Sequence, residues 1–512
     1  MSTTVRVFHD TYVDSVVQLG AVRAMREVEG VEWASAGMAT PANVDALREE
    51  GVAGDELADS GSDDFFVAVR AADDEAILNA LSAAEEAAFP GAPAAEERPV
   101  EVPARSVREA AARRPGSNLA VISVPGQYAA LPAYQALTRG MHVLLFSDNV
   151  PVEKEIGLKD YARGRGLLMM GPGAGTAVVS GVGLGFANVV RRGEVGIVAA
   201  AGTGAQESMC LLDRWGAGVS HVLGVGGRDL SSEVGGSAAL SAVRALREDA
   251  ATEVILLVSK PPAAEVAARV LASAAGSPLV ATLIGGGGGN GAAGPVEVAD
   301  TLEGGALAVL RALGLPAPDT AMTAGPSLED ARGRLGPSRR LVRGLFSGGS
   351  LCYESLVLLG RALGAVYSNT PLDPAFALPA PPHSHLCLDL GEEEFTQGRP
   401  HPMIDAEARV ELLREHAADP DVAVIILDVV LGFGAHPDPA AVLAPECAAI
   451  MAADGPQVVV YVLGTDADPQ DRRAQRESFL KAGCIVTETS ARASLVAAAI
   501  ATGRPSLAVE AL

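Results

Sequence analysis

Two short segments of this chain have the residue types and spacing to hold an anion. Gly202–Ser208 reads GTGAQES after the apolar run VGIVAAA, and Gly348–Ser355 reads GGSLCYES after LVRGLFS. Each spells a strand, a glycine turn and a helix. Such a turn at the carboxyl end of a parallel strand leaves backbone N–H groups free, and the helix that follows adds the positive end of its dipole. Phosphate is the usual occupant. Gly202, Thr203 and Gly204 make one candidate phosphate cradle, and Gly348, Gly349 and Ser350 the other. Each segment closes on Glu-Ser, which puts Glu207 and Glu354 on equivalent first turns as candidate catalytic carboxyls. Facing one another across a pseudo-twofold axis, the turns would place one anion between two helix ends. A solitary G-x-G is more often only a tight connection, but its recurrence with the same Glu-Ser ending favours a site.

Basic residues fall in the matching loops. Arg228 stands in GGRDL, Lys260 in SKPP, and Arg399 with His401 in GRPHPMID. A guanidinium grips a carboxylate or phosphate through two parallel hydrogen bonds, so these are candidate substrate-binding groups. A surface arginine is ordinarily only a solvated charge, and the strand-end position is what singles these out. His401, between two prolines, is a candidate general acid or base near neutral pH, with a structural role as its competitor. Asn149, in FSDNVPVEKEI, and the stretch MGPGAGT supply further strand-end loops to a ligand. His383 and His385 stand beside no cysteine or carboxylate at ligand spacing, so no metal is expected.

The elements that must carry these residues follow from periodicity. Val5–His9, Val31–Met38 and Asp64–Arg70 have strand patterns, and Ser15–Glu29 and Asp74–Ala88 helical ones, which predicts a small α+β sandwich. Phe89–Ser106, rich in Pro, Ala and Glu, reads as a linker. From Leu119 to Met170 strands and helices alternate as a βαβαβ half-sheet, and the alternation resumes at Val195 and again at Leu341. The segment from Gly226 to Pro262 parallels that from Gly398 onward in loop, helix, strand and loop, so an internal duplication is inferred. The expected domains are 1–105, 106–190, 191–320 and 338–512, the last duplicated relative to the one before it.

Composition narrows the class. At 512 residues the chain is multidomain, and 49% hydrophobic with only 4% aromatic residues suits Ala/Val/Leu-rich helices on parallel strands. A net charge of -24 would repel a nucleic-acid backbone. Five scattered cysteines with no C-x-x-C pair fit a reduced cytoplasm. The N-terminus lacks a signal-peptide pattern, and Leu271–Val296, interrupted by Pro278 and five consecutive glycines, reads as strand plus loop and not as a membrane span.

From Ser117 to about Gly314 the chain resembles the α subunit of succinyl-CoA synthetase, with SVPGQYAA, FSDNVPVEKEI, MGPGAGT, GTGAQES and GVGGRDL in the expected order. From Leu341 it resembles the carboxy-terminal domain of the β subunit, with GRPHPMID, DVVLGFGAHPDP and VVVYVLGTDADP. Fused in one chain with TPAN at Thr40–Asn43, the combination is similar to FdrA-type proteins over nearly the full length. The resemblance implies an α/β fold of Rossmann-like and flavodoxin-like domains of that superfamily. It also assigns Glu207 to the glutamate that supports a phosphorylated histidine, and Gly202 with Thr203 to the phosphate turn. The glycine-rich stretch Leu283–Gly294 contains no histidine, however, and no ATP-grasp half is evident, so a phosphohistidine relay and ATP are not expected.

What the resemblance implies in function is a component of an oxamate carbamoyltransferase, converting oxalurate and phosphate to oxamate and carbamoyl phosphate with companion subunits, as an oligomer. Inorganic phosphate or carbamoyl phosphate is then the substrate, no cofactor is assigned, and CoA stays open as a ligand. Two alternatives stay open: an acyl-CoA synthetase or transferase, with CoA bound, and a non-catalytic ligand-binding or scaffold subunit.

Overall fold

The computed structural model describes residues 2–9, 11–13, 15–52, 57, 60–89, 104–286, 296–396 and 400–510. It divides into two compact units, Met1–Pro103 with Thr396–Pro400, and Ala104–Phe395 with His401–Leu512.

The first unit contains β1 (Ser2–Phe8), α1 (Ser15–Arg26), β2 (Val31–Met38), α2 (Pro41–Glu49), β3 (Phe65–Ala71) and α3 (Asp74–Ala88). Its antiparallel sheet runs β1-β3-β2. The central strand, FFVAVRA, is apolar on both faces because α1 and α3 cover one and α2 the other. The TPAN motif is a helix start: the Thr40 hydroxyl accepts the Asn43 N–H and Pro41 takes the first helical position. Of the expected linker, residues 90–103 lie outside the described residues. Its last residue, Ser106, caps α4 (Val107–Arg113) by accepting the Glu109 N–H.

The second unit opens with the half-sheet β4 (Leu119–Ile122), α5 (Gly126–Thr138), β5 (His142–Leu145), α6 (Val152–Gly164) and β6 (Met169–Met170), its strands parallel in the order β4-β5-β6. Lobe one follows with β7 (Thr176–Val179), β8 (Val182–Gly185), β9 (Arg192–Ala200), α7 (Gly202–Arg214), β10 (Val219–Gly224), α8 (Ser237–Glu248), β11 (Val254–Ser259), α9 (Ala264–Ser273), β12 (Leu279–Leu283), β13 (Glu297–Ala299) and α10 (Leu302–Ala312). After β14 (Thr323–Ala324) and α11 (Leu328–Gly333), lobe two contains β15 (Leu341–Phe346), α12 (Gly349–Leu363), β16 (Val366–Ser368), β17 (His385–Asp389), α13 (Glu393–Thr396), α14 (Ala408–Ala417), β18 (Val422–Val430), α15 (Pro439–Ala452), β19 (Gln457–Leu463), α16 (Arg472–Lys481), β20 (Ile485–Thr487) and α17 (Ser490–Thr502).

The duplication is a matter of topology. Five equivalent parallel strands run β10-β9-β11-β12-β13 in one lobe and β17-β15-β18-β19-β20 in the other, where the short β16 adds a sixth parallel strand beyond β17. In chain order both read 2-1-3-4-5, the flavodoxin-like arrangement. Every residue of β11 and of β18 is buried, as expected where helices cover both faces of a parallel sheet. The edges depart from the expected domain borders. The β7–β8 hairpin, expected in 106–190, pairs through Val178 with Val222 of β10 and extends the sheet of lobe one. β14, between the expected third and fourth domains, pairs antiparallel with β20. Both short additions satisfy edge hydrogen bonds that a helix crossover cannot reach. Leu271–Ser273 closes α9, Leu279–Leu283 is β12, and residues 287–295 lie outside the described residues. No described helix is long and apolar enough to cross a membrane.

α7, α10, α12 and α17 pack on one another, and a single apolar core runs through them into β9 of one lobe and β18 of the other. Full burial of one leucine in that core, such as Leu351, contributes about 1.5–3 kcal/mol. This layer brings the two helix starts together.

Candidate functional site

The two glycine turns meet. The Ser350 N–H of α12 donates to Thr203 Oγ1 of α7 at 3.1 Å. A Cβ at Gly204 would sit 3.0 Å from Val258 Cγ1 and 3.3 Å from Ser350 Oγ, so this buried glycine serves the close approach of the lobes.

The helix starts differ chemically. The first N–H groups of any helix lack intrahelical partners. At α7 no side chain caps them, and Gly202 is exposed. At α12 the place of an external anion is taken by Asp428 of β18: Ser347 N–H and Gly348 N–H each donate to its carboxylate at 2.7 Å, and Arg409 Nη2 donates to the same group at 3.0 Å. The expectation that Gly348 and Ser350 cradle phosphate is therefore corrected. Their N–H groups serve Asp428 and Thr203.

Gly349 keeps a place at the mouth. A Cβ there would lie 2.3 Å from Asp389 Oδ2 and 3.1 Å from Lys260 Nζ, so only glycine lets both groups close on the helix start. Lys260 follows Ser259, which pairs with Ala200 of β9, so it emerges level with Ala201, the residue before the α7 start. Its ammonium is 4.6 Å from the Tyr353 ring centroid and 3.9 Å from Glu392 Oε1. Burial raises the Asp389 carboxyl to about 6 against the opposing pull of Lys260.

Glu207 and Glu354 lie beneath this mouth, sealed from solvent at 1% and 0% exposure. Glu207 Oε2 accepts the Tyr461 hydroxyl at 2.5 Å, and Arg214 Nη2 donates to the same hydroxyl at 3.0 Å. Glu354 Oε1 accepts the Leu302 N–H at the start of α10 at 2.7 Å, while its Oε2 has no hydrogen-bond partner. Burial raises Glu207 to about 7; burial and then the neighbouring Glu207 raise Glu354 to about 8. At neutral pH Glu354 is therefore largely protonated and Glu207 is near its midpoint.

Other expectations are revised. Burial pushes His401 down to about 4, so its ring is neutral at pH 7 and does not serve there as the imidazolium acid. Its Nδ1 accepts the Met403 N–H, which leaves the ring proton on Nε2, beside Gly391. Arg228 is a brace: it donates to the Val150 carbonyl and pairs with Glu155 at 2.9 Å, and Glu155 in turn holds the buried Lys159 with Asp229. Asn149 is exposed in the left-handed region, φ 55°, on a loop that Gly126 touches so closely that a Cβ would lie 2.0 Å from Asp148 O. Arg399 lies outside the described residues. Among the described residues no cluster of three or more His, Cys, Asp or Glu could hold a metal ion.

Sequence reasoning missed Asp389, Asp428, Arg409 and Tyr461. A usable signal existed for two of them: Asp389 in LCLDL and Asp428 in ILDVV are charges inside apolar strand runs, where burial demands a partner.

Two flavodoxin-like lobes joined at facing helix starts, together with a Rossmann-type half-sheet, define an α/β architecture, and the comparisons with known proteins relate it to the acyl-CoA-ligase kind. Residues 345–500 match the CoA-ligase family, and residues 1–101 match the AllF, heavy metal-associated domain. The latter segment has no cysteine and only one histidine, His9. The chain is 40% identical to the uncharacterized protein YahF of Escherichia coli over 520 residues, covering 97% of this chain and 98% of that one, and it belongs to the same family. It is 28% identical over 158 residues to a succinate–CoA ligase [ADP-forming] subunit alpha of Staphylococcus epidermidis, a match covering 30% of this chain and 51% of that subunit. The dinucleotide-forming acetyl-coenzyme A synthetase 1 of Ca. Korarchaeum cryptofilum aligns over 76% of this chain and 84% of its own at 16% identity, with a TM-score of 0.29.

Proposed function

We propose that the chain transfers an acyl group between phosphate and CoA, acting with companion subunits. The observation that carries this reading is the uncapped start of α7, with Lys260 leaving the neighbouring strand level with Ala201 and reaching the Gly349 turn. The acyl phosphate would lie with its phosphoryl oxygens on the N–H groups of Gly202 and Thr203. The CoA sulfur attacks the acyl carbon, the carbon–oxygen bond to phosphorus breaks, and the thiol proton ends on the departing phosphate. The helix start and Lys260 stabilise the charge that develops on that oxygen. CoA would occupy the loops after β4 and β5, near Asn149.

The carbamoyltransferase expected from the sequence finds less support in the comparisons than acyl-CoA chemistry does. The absence of a histidine from Leu283–Gly294 still favours a second reading, in which phosphate at the same helix start attacks an acyl or carbamoyl donor without a phosphohistidine.

Incubation of the purified chain with acetyl phosphate and CoA tests the first reading. Thioester should form, and Val258→Asp, which would place a carboxylate under the α7 start, should slow it about tenfold or more. Carbamoyl phosphate formed from oxalurate and phosphate, with no CoA binding, would replace the first reading by the second.

A further inference from the structure

Acyl transfer from phosphate to a thiol takes a proton from sulfur and delivers it to phosphate. Few groups around the mouth can carry it. Glu207 and Glu354 are sealed below, an ammonium such as Lys260 has no lone pair, and His401 Nδ1 already accepts the Met403 N–H.

Asp389, the last residue of β17, is placed differently. Asn369 fixes its backbone from both sides, accepting its N–H and donating to its carbonyl at 2.9 Å each. Its Oδ1 accepts the Gly391 N–H at 3.0 Å. Its Oδ2 accepts no hydrogen bond among the described residues and is not one of the polar atoms sealed without a partner. Around the Cβ position of Gly349, that oxygen stands at 2.3 Å and Lys260 Nζ at 3.1 Å. Gly348, one residue earlier, approaches α7 as closely, its Cβ position being 3.1 Å from Thr203 Cγ2. Oδ2 therefore faces the space between Lys260 and the two helix starts.

A wall of rings joins this oxygen to the loop after β5. Around the Cβ position of Gly391, Asp389 Oδ1 stands at 3.2 Å and His401 Nε2 at 2.7 Å. The His401 ring is 6.3 Å from that of Phe186, and Phe186 is 5.6 Å from Phe146, three residues before Asn149. All three rings are half-buried, so a thiol-bearing arm held at that loop can follow them to Asp389.

Resting on the acyl-transfer reading, we propose that Asp389 is the proton carrier of that reaction. Oδ2 takes the S–H proton as sulfur bonds to the acyl carbon. It returns the proton to the phosphate oxygen released when the carbon–oxygen bond breaks, which regenerates the carboxylate.

The surroundings suit the task. Burial raises the carboxyl to about 6; Lys260 opposes the rise, Glu392 adds to it, the Gly391 N–H opposes it and Asp428 adds to it. Cys352 and Tyr353 of α12 and the neutral His401 are its other titratable neighbours. Such a carboxyl is ionised at pH 7 and is a stronger base than an ordinary one.

The full-length chain with acetyl phosphate and CoA provides the test. At pH 7, Asp389→Asn should lower kcat about 100-fold and change the KM for acetyl phosphate by less than about threefold. The deficit should close as pH rises past about 8.5, where a thiol ionises unaided. Asp389→Glu should regain part of the rate. Gly349→Ala, whose Cβ displaces Oδ2 while leaving the carboxyl present, should also slow turnover in protein with a normal melting curve. Full rate in Asp389→Asn, or a deficit that does not vary with pH, overturns this role while the parent's thioester formation upholds the acyl-transfer reading. Should Asp389→Asn not fold, full rate in Gly349→Ala overturns it equally. No thioester from the parent overturns both.

Discussion

The start of α7 and the start of α12 occupy equivalent places in equivalent lobes, yet one is open and the other is closed by the protein itself. Register gives the cause. Val198 pairs with Leu257 in lobe one and Leu345 with Leu427 in lobe two, so Val258 and Asp428 hold the same position beneath the two turns. The aspartate takes the N–H groups of Ser347 and Gly348 internally, whereas the valine gives the equivalent Ala200 and Ala201 no such carboxylate. A duplicated fold can thus keep its architecture while one copy binds and the other braces.

Reversing the difference in lobe two should have the largest effect. Asp428→Val leaves the buried Arg409 without its carboxylate and should cost about 3–5 kcal/mol in urea unfolding. Adding Arg409→Met should recover much of that loss. If the single variant is as stable as the parent, the internal cap contributes nothing. Second is the converse change, Val258→Asp, which should weaken phosphate binding at the α7 start about tenfold or more in titration calorimetry; because Val258 is buried, the variant should also lose stability, so the titration is read in protein shown to be folded by its melting curve. Unaltered affinity would place phosphate elsewhere.

The glutamate pair beneath both turns sharpens the comparison through pH. Folded-state values raised to about 7 and 8 mean that the native state holds protons the unfolded chain releases near 4.5. The resulting stability is complete below that pH and is lost as pH rises through 7 to 8. Glu354→Gln, which mimics the protonated acid, should flatten the decline in unfolding free energy between pH 5 and pH 8.5, and an unchanged slope would show that the carboxyl is already ionised. The smallest effect is expected of Lys260→Met. Its ammonium is partly solvated, so phosphate affinity should fall by a few-fold, with a weaker salt dependence.

Much of this molecule was legible before its structure. The strand and helix patterns, the repeated glycine turn and the equivalence of Glu207 with Glu354 are local or periodic features, and they reappear in the two 2-1-3-4-5 sheets. The sheet edges were less legible: β7 and β14 join lobes across expected borders because a pairing of a single bridge or two residues has no periodicity to read. His401 had the residue type for proton transfer, but its degree of burial, which sets its charge, is a property of the packed loop.

By itself the sequence determined the fold class, the duplication and the two candidate helix starts, because hydrophobic period and turn chemistry act over a few residues. Only the tertiary structure decided which start is open. Asp428 reaches Gly348 from 80 residues away, and Lys260 crosses from one lobe to the helix of the other. Those partners are chosen by strand register and lobe packing, which no local pattern contains.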